Sequence, residues 1–383
     1  MINSVIVDDT CELTFMQKKM FICNRMPIYR LPMLYELNDG VTYESVQAAA
    51  YHTFKAHPAL QVKYEYDPSQ RQFYQRMLPL REEQFQIPIH TAKEDVSQYI
   101  INRPNKLDLS RNYPWACEFI EDQHHRYLYI EFHHICMDGL GIRSFERTFI
   151  NQLHGIPIPS STEISGLTTY KRICTFEQQE REDERATVNN LKLPEIISSS
   201  KEIRLNRFTQ CMDEQKQAVI ARIAKMMNVT KGTVYQGLME EVWKKECVGE
   251  AYGAIGNWRS QLGNLNEVGC FVNIQPQFLN RDHSLEERTK AIFNTNWRRF
   301  MNPSQEVLSS LDFSIVFSYE EDMFQYFRYI PVDQLCKFDL YVRVYSYDKQ
   351  THIEFEYNRG KYSEDQMMIM YKQFESILDQ YVE

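Results

Sequence analysis

The feature that most restricts the fold of this chain is a strand pattern that ends in two adjacent histidines. In RYLYIEFHH, residues 126–134, alternate side chains lie on opposite faces if the segment is extended. Phe132 and His134 then point to one side of a sheet, and Glu131 and His133 point to the other. The two histidines therefore face in opposite directions for as long as the strand continues.

The residues that follow this strand predict a sharp turn and then a helix. The histidines precede ICMDGLG, and Asp-Gly is a strong turn signal. RSFERTFINQLHG, residues 143–155, has the apolar spacing of a helix closed by Gly155. Another pair, His124 and His125, lies upstream, but no acidic residue and glycine follow it at the same spacing. The downstream pair is therefore the better candidate for a functional site.

The length of 383 residues predicts two domains or two fused lobes, because single hydrophobic cores rarely grow so large. The stretch FEQQEREDERATVNNLKLPEIISSS, residues 176–200, is charged, then serine-rich, and contains Pro194, which is typical of a linker. We therefore predict a first lobe over residues 1–175 and a second lobe over residues 201–383.

Both halves mix helix and strand patterns, which predicts an α/β fold of the α+β sandwich kind. Residues 43–60 have helical spacing that ends near Pro58, and LQVKYEYD then alternates as a strand. In the second half, two helices are predicted to meet near Asn228, with Thr230 as a cap. The chain is predicted to end in a helix capped by Ser363.

Charge and composition argue against several classes of protein. The net charge of −9 is unlike that of a dedicated nucleic-acid binder. We see no apolar run long enough to span a bilayer and no secretion signal. The nine cysteines are scattered and include no Cys-x-x-Cys, which indicates reduced thiols and no metal site. We expect a soluble cytoplasmic protein that has no nucleic-acid or membrane partner.

An imidazole at this position has the chemistry for acyl transfer from a thioester to an amine or alcohol. That reaction needs a base beside the nucleophile and a donor for the oxyanion, and histidine titrates near neutral pH. His134 is our candidate base, with His133 packing on the opposite side. Asp138 would fix the loop or the imidazole, and Gly139 would let the backbone turn or approach a substrate. The competing interpretation is a strand that ends in a turn without function, and Cys136 is predicted to be a buried thiol, not a nucleophile.

Several motifs, in consistent order, resemble the condensation-domain superfamily, which includes condensation domains of nonribosomal peptide synthetases and chloramphenicol acetyltransferase. His-His-x-x-x-Asp-Gly, residues 133–139, is similar to the signature of that superfamily. The other matching segments cover nearly the whole chain and are LTFMQ (13–17), AAAYHTFKAHPAL (48–60), KLDLSRNYPWACEFI (106–120), VGCFVNIQP (268–276) with Asn273, and the stretch from KFDLYVRV to FEYNRGKYSED.

The resemblance implies two lobes, each like a chloramphenicol acetyltransferase subunit, set in a V as a pseudodimer with a central tunnel. The acyl donor would be a phosphopantetheine thioester on an acyl or peptidyl carrier protein or on coenzyme A, and the acceptor a small amine or hydroxyl. His134 would position or deprotonate the acceptor inside the tunnel. Asp138 would be mainly structural, and Gly139 would contribute backbone near the reacting centre. No metal and no bound cofactor is implied.

Two positions depart from the pattern of the superfamily and affect Asp138. Gln61 stands where an arginine usually pairs with this aspartate, and Cys117 stands where a second arginine is frequent. A buried carboxylate is costly without a partner. Arg143, Arg259 or Gln61 itself could serve as that partner, and the sequence does not choose among them.

The resemblance favours an enzyme that forms an amide bond between a carrier-bound acyl group and an amine, in nonribosomal peptide or related natural-product biosynthesis. A coenzyme A-dependent O- or N-acyltransferase is one alternative. The other is a catalytically silent domain that docks a carrier protein or a tailoring enzyme, which the missing arginines favour and the intact histidines oppose. Epimerisation is less favoured, since it would need a second acid-base group that we do not find.

Overall fold

The structure is a computed structural model of the whole chain. It describes residues 10–26, 28–103, 107–158, 167–184, 204–246, 251–263, 266–279, 282–298, 314–321, 324–332, 335–347 and 350–381.

The strands in this part of the chain are two to nine residues long. In chain order they are β1 (Thr10–Glu12), β2 (Arg30–Glu36), β3 (Val62–Asp67), β4 (Gln72–Met77), β5 (Ile89–Thr91), β6 (Trp115–Glu121), β7 (Arg126–His133), β8 (Leu205–Met212), β9 (Ala251–Asn257), β10 (Val272–Phe278), β11 (Ile315–Glu320), β12 (Arg328–Tyr329), β13 (Leu340–Tyr347) and β14 (Gln350–Asn358).

The helices are interspersed among these strands. In chain order they are α1 (Phe15–Ile22), α2 (Tyr43–Ala56), α3 (Val96–Ile101), α4 (Gly139–Leu153), α5 (Thr168–Glu184), α6 (Glu214–Met227), α7 (Lys231–Glu246), α8 (Arg259–Leu262), α9 (Leu285–Arg298) and α10 (Glu364–Asp379).

The described chain forms two compact units that are interleaved in sequence. The first unit comprises Met1–Glu177, Arg259–Phe271 and Phe324–Asp333. The second comprises Gln178–Trp258, Val272–Met323 and Gln334–Glu383. Two short segments from the second half of the sequence therefore belong to the first unit.

The first unit is built around a five-stranded sheet with the order β12-β2-β7-β6-β5, and β1, β4 and β3 form a separate three-stranded sheet. The central strand β7 is buried along nearly its whole length. Phe132 on one of its faces contacts Phe54 of α2 and Phe145 of α4. Tyr129 on the other face packs in a cluster with Ile100 of α3. The alternation read from the sequence is present, but both faces are covered.

The second unit has a six-stranded sheet with the order β10-β9-β11-β13-β14-β8. Alternate residues of β13 and β14, such as Val342 and Phe355, join a core with α6, α7 and α10. Strand β11 pairs in parallel with both β9 and β13, whereas β14 pairs antiparallel with β13 and β8. The mixture of helices and sheet that the sequence predicts is confirmed in each unit.

The local signals for helix ends agree closely with the structure. Asn228 adopts a left-handed conformation with φ of 55° where α6 ends, and Thr230 accepts a hydrogen bond from the backbone N–H of Thr233 at the start of α7. Ser363 forms a capping box with Gln366 at the start of α10. These side chains satisfy backbone groups that a helix end leaves open, which is why they mark the boundaries.

Two predicted boundaries differ from the structure. Helix α4 begins at Gly139, four residues before the predicted start, because Asp138 caps it. Helix α5 continues to Glu184, so the start of the predicted linker at 176–200 is helical. The remainder of that predicted linker lies outside the described residues.

Within the described ranges, none of the helices has the length and apolar character that crossing a membrane requires. The same part of the chain contains no group of three or more histidine, cysteine, aspartate or glutamate side chains placed to hold a metal ion.

Glu146 of α4 holds the segment 324–332 on the first unit. Its fully buried carboxylate accepts hydrogen bonds from the backbone N–H groups of Gln325 and Phe327, both at 2.9 Å. The segment then continues as β12, which pairs with β2. Burial raises the pKa of Glu146 to about 7, although these hydrogen bonds act in the opposite direction.

This carboxylate should make the stability of the first unit depend on pH. Between about pH 4.5 and 7 the folded protein binds more protons than the unfolded chain, so stability falls as pH rises through this window. A pKa that rises from 4.5 to about 7 corresponds to about 3 kcal/mol. Urea unfolding at pH 4.5 and 8 should show a larger loss for the wild-type protein than for Glu146→Gln, which cannot titrate. Parallel losses in the two proteins would contradict this role.

Candidate functional site

The two adjacent histidines lie where β7 ends and differ in exposure. His133 is the last residue of β7 and is only 2% exposed, whereas His134 is half-buried and begins a short helical turn that reaches Cys136. Nδ1 of His133 accepts a hydrogen bond from the backbone N–H of Ile135 at 3.1 Å. The backbone N–H of His134 donates to the carbonyl oxygen of Tyr29 at 2.8 Å. The turn backbone is thus fixed, and His134 is the more accessible imidazole.

Gln17 holds this turn through a buried polar contact. Its side-chain Nε2 donates to the carbonyl oxygen of Ile135 at 3.2 Å. Its Oε1 accepts from the backbone N–H of Thr14 at 3.1 Å and from Nε2 of Gln75 at 3.2 Å. Gln17 is fully buried, so these contacts satisfy polar atoms that have no access to water.

Asp138 joins the start of α4 to a loop from the second half of the sequence. Its carboxylate is 2% exposed and accepts from the backbone N–H of Gly141 at 2.7 Å and of Phe271 at 2.9 Å. The backbone N–H of Asp138 donates in return to the carbonyl oxygen of Gly269 at 3.0 Å. One residue therefore caps the helix and binds the loop 267–271.

Arg259 is the ionic partner of Asp138. A terminal guanidinium nitrogen lies 2.6 Å from Oδ1 of Asp138 and 3.3 Å from the carbonyl oxygen of Gly269. The other terminal nitrogen donates to the carbonyl oxygen of Glu267. The guanidinium also lies 4.7 Å from the centre of the Phe271 ring, and Arg259 is 0% exposed. Among the three partners that the sequence left open, the structure selects Arg259.

Two glycines allow this close packing. A Cβ at Gly141 would lie 2.9 Å from Sδ of Met137 and 3.0 Å from the carbonyl oxygen of Gly269. A Cβ at Gly269 would lie 2.3 Å from the ring of Phe271. Glycine is thus needed at position 141 for the loop to reach α4, whereas a side chain at position 269 would displace the ring of Phe271.

Cys270 brings the same loop next to His134. Its Sγ lies 3.9 Å from Nδ1 of His134, and its backbone N–H donates to the hydroxyl oxygen of Tyr170 at 3.0 Å. Because Cys270 lies between two residues that Asp138 binds, Gly269 and Phe271, the Asp138–Arg259 pair determines where this thiol sits.

Cys136 has no feature of a nucleophile. It is fully buried, and its thiol donates to the carbonyl oxygen of His133 at 3.2 Å. Burial raises its pKa well above the ordinary value, which disfavours the reactive thiolate. The prediction that Cys136 is a buried thiol is confirmed.

The other residues singled out from the sequence lie elsewhere. Nε2 of Gln61 donates to the carbonyl oxygen of Lys55 at 2.8 Å, and its Oε1 accepts from the backbone N–H of Leu80 at 3.1 Å, so it is not the partner of Asp138. Arg143 is exposed on α4, and Cys117 is buried in β6. Asn273 is buried in β10 of the second unit, next to Gly256. The first residue of α4, Gly139, is half-buried.

Sequence reasoning missed three contributors to the site: Gln17, Tyr170 and Cys270. Gln17 carried a signal, since it stands three residues after Thr14 and the pair forms a capping box. That pattern predicts a helix start but says nothing about the contact with Ile135. Tyr170 and Cys270 carried no local signal, because their contacts join residues that are 100 and 136 positions apart.

Replacing Gln17 by leucine should destabilise the turn that carries His134. The change keeps the side-chain volume but leaves the carbonyl of Ile135 and the N–H of Thr14 with fewer partners, at a cost of roughly 2–4 kcal/mol in the free energy of unfolding. Gln98→Leu, at an exposed position of α3, is the matched control and should cost no more than about 0.5 kcal/mol. Equal urea midpoints for the two variants would refute the role of Gln17.

Comparisons with known proteins place this architecture among condensation domains. The chain resembles the epimerization domain from the third module of tyrocidine synthetase B, with a TM-score of 0.74 and 15% identity over 97% of each chain. It also resembles the X-domain from teicoplanin biosynthesis, with a TM-score of 0.74 and 15% identity over 97% of this chain and 94% of that chain.

A third similar structure is a mutant of the starter condensation domain of rhizomide synthetase RzmA in complex with C8-CoA and Leu-SNAC. The TM-score is 0.74 and the identity 13%, over 100% of this chain and 96% of that chain. At such low identities these likenesses establish the fold, which is that of chloramphenicol acetyltransferase-like condensation domains.

No curated protein matches the sequence. The family model of the condensation domain matches residues 7–292, which is most of the chain and includes the histidines, Asp138 and Arg259. The chain therefore belongs to the condensation-domain family.

Proposed function

We propose that this protein is an acyltransferase of the condensation type, which forms an amide bond between a phosphopantetheine-thioester acyl donor and an amine acceptor. The observation that carries the proposal is the setting of His134. This residue is only half-buried, while the backbone of the turn around it is fixed by buried hydrogen bonds to Tyr29 and Gln17. A base that is both accessible and held in place is what such a transfer requires.

The nitrogen atoms of His134 have different surroundings. Nδ1 lies 3.9 Å from Sγ of Cys270. When Nδ1 carries the proton of the neutral ring, Nε2 is the nitrogen that has the lone pair and accepts a proton. We therefore assign the role of general base to Nε2.

The proposed reaction moves one acyl group and one proton. The amine nitrogen attacks the thioester carbonyl carbon and gives its proton to Nε2 of His134. The carbon–sulfur bond then breaks, and the proton passes to the leaving thiolate. The backbone N–H groups of Gly139 and Leu140, in the first turn of α4, have no intrahelical acceptor and suit the stabilisation of the oxyanion. Asp138 has a positioning role, because its carboxylate is already hydrogen-bonded to Arg259, Gly141 and Phe271.

The choice of substrates is supported by the family and by one similar structure. The rhizomide synthetase domain is in complex with C8-CoA and Leu-SNAC, an acyl thioester and an aminoacyl thioester. By analogy, the partners of this chain would be an acyl or peptidyl carrier protein and a small amine. In a variant of the same chemistry, coenzyme A would carry the acyl group and an amine or a hydroxyl would accept it. The tunnel between two lobes and the role of Asn273 stay predictions.

A second candidate function is docking without catalysis. It is favoured by the likeness to the X-domain from teicoplanin biosynthesis. This chain also resembles the structure of that X-domain in complex with OxyB, at a TM-score of 0.72. The absence of an arginine at position 61 no longer favours it, because Arg259 supplies the charge that Asp138 needs. The accessible His134 gives catalysis the stronger support.

Replacing His134 by alanine should lower turnover about 10²- to 10⁴-fold, which is the usual contribution of a positioned base. The assay is mass spectrometry of products after incubation with carrier proteins loaded with acyl and aminoacyl groups. His124→Ala removes an exposed histidine from the same unit and should leave turnover unchanged. Thermal unfolding of both variants checks that they are folded.

The outcomes separate the candidate functions. Turnover by the wild-type protein that His134→Ala does not reduce would remove the imidazole from the mechanism. Product from acyl-coenzyme A but not from loaded carrier proteins would identify the coenzyme A variant. Binding of a carrier protein without any product, in both the wild-type protein and His134→Ala, would favour docking.

A further inference from the structure

We propose that Cys11 and Cys174 are a redox-sensitive thiol pair that can close into a disulfide between β1 and α5. The two residues are 163 positions apart in sequence but meet in the first unit. The inference does not depend on the reaction proposed above.

The two sulfur atoms lie around one carbonyl oxygen. Sγ of Cys11 is 3.2 Å from the carbonyl oxygen of Glu12, and Sγ of Cys174 is 3.4 Å from the same atom. Cys11 is 6% exposed, whereas Cys174 is half-buried, so solvent reaches the pair from the α5 side.

A second contact holds β1 and α5 at this distance. The carboxylate of Glu177, three residues after Cys174, accepts the backbone N–H of Phe15 at 2.9 and 3.2 Å. Phe15 begins α1, just after β1. This contact fixes the two elements next to each other, so a disulfide would join segments that are already in place.

The two thiols differ in pKa and in exposure. The interaction with Cys174 and the positive charge of Lys171 lower the pKa of Cys11. The interaction with Cys11 and burial raise the pKa of Cys174. Thiolates are the nucleophiles in disulfide exchange, which favours Cys11, but Cys174 is the more exposed of the two residues, so either thiol can react first with an oxidant.

The oxidant can be a small disulfide such as oxidised glutathione. The thiolate of one of the two residues attacks one sulfur of that disulfide, forms a mixed disulfide and releases one glutathione thiolate. The other thiol then loses its proton and attacks the protein sulfur of the mixed disulfide, which releases the second glutathione. The protein gains one disulfide and loses two hydrogens, while the small disulfide is reduced to two thiols.

The pair is connected to the turn that carries His134. Cys11 pairs with Gln75 in the β1–β4 ladder. Gln75 donates to Gln17, and Gln17 donates to the carbonyl oxygen of Ile135. A disulfide at Cys11 would therefore act on a strand pair that holds the turn.

The test is peptide mapping of the native protein after exposure to oxidised glutathione. The free thiols are alkylated and the protein is then digested without reduction. We expect one linked pair of peptides that contains Cys11 and Cys174, a loss of two hydrogens and reversal by dithiothreitol. The exposed Cys211 is the internal control and should acquire only a mixed disulfide.

Two variants test the order of attack. Cys174→Ser and Cys11→Ser each lack one member of the pair and should give no linked peptides, and the variant that accumulates glutathione identifies the thiol that reacts first. Recovery of both Cys11 and Cys174 as free thiols while Cys211 reacts, or linkage of either one to another cysteine, would overturn the proposal. None of these measurements involves turnover, so a failure of the proposed catalytic function would leave this test unaffected.

Discussion

The buried ion pair between Asp138 and Arg259 is the interaction on which the rest of the candidate site depends. Two opposite charges 2.6 Å apart, almost without exposure, are stable because further hydrogen bonds accompany the ion pair. Asp138 caps α4 and accepts from Phe271, and Arg259 binds the carbonyls of Glu267 and Gly269. The pair therefore fixes a loop from the second half of the sequence next to the end of β7. This loop places Cys270 next to His134. A change at position 259 would thus affect the surroundings of the His134 imidazole.

Much of the fold could be predicted from the sequence, because its signals are local. The alternation in β7, the caps at Thr230 and Ser363 and the break at Asn228 each depend on a few neighbouring residues, and each is confirmed. The predicted start of α4 was late because Asp138 was interpreted only as a site residue, although it is also the helix cap.

The site was predicted less completely, for a physical reason. A carboxylate can be paired equally well by several cations in a sequence, and only the packing of the chain decides among them. Arg259 is 121 residues from Asp138, and no periodicity connects the two. The contact of Gln17 with Ile135 spans 118 residues in the same way. Buried polar contacts between residues so far apart in sequence form only when the whole chain is folded. Local sequence patterns therefore do not predict them.

The ion pair can be measured directly by a double-mutant cycle of Asp138→Ala, Arg259→Ala and the combined variant, with the free energy of unfolding as the observable. If the pair joins the loop to α4, each single variant leaves a buried charge without its partner and costs about 3–5 kcal/mol, and the combined variant costs much less than the two together. Costs that add to within about 0.5 kcal/mol would show that the two residues act independently and would contradict this account of the site.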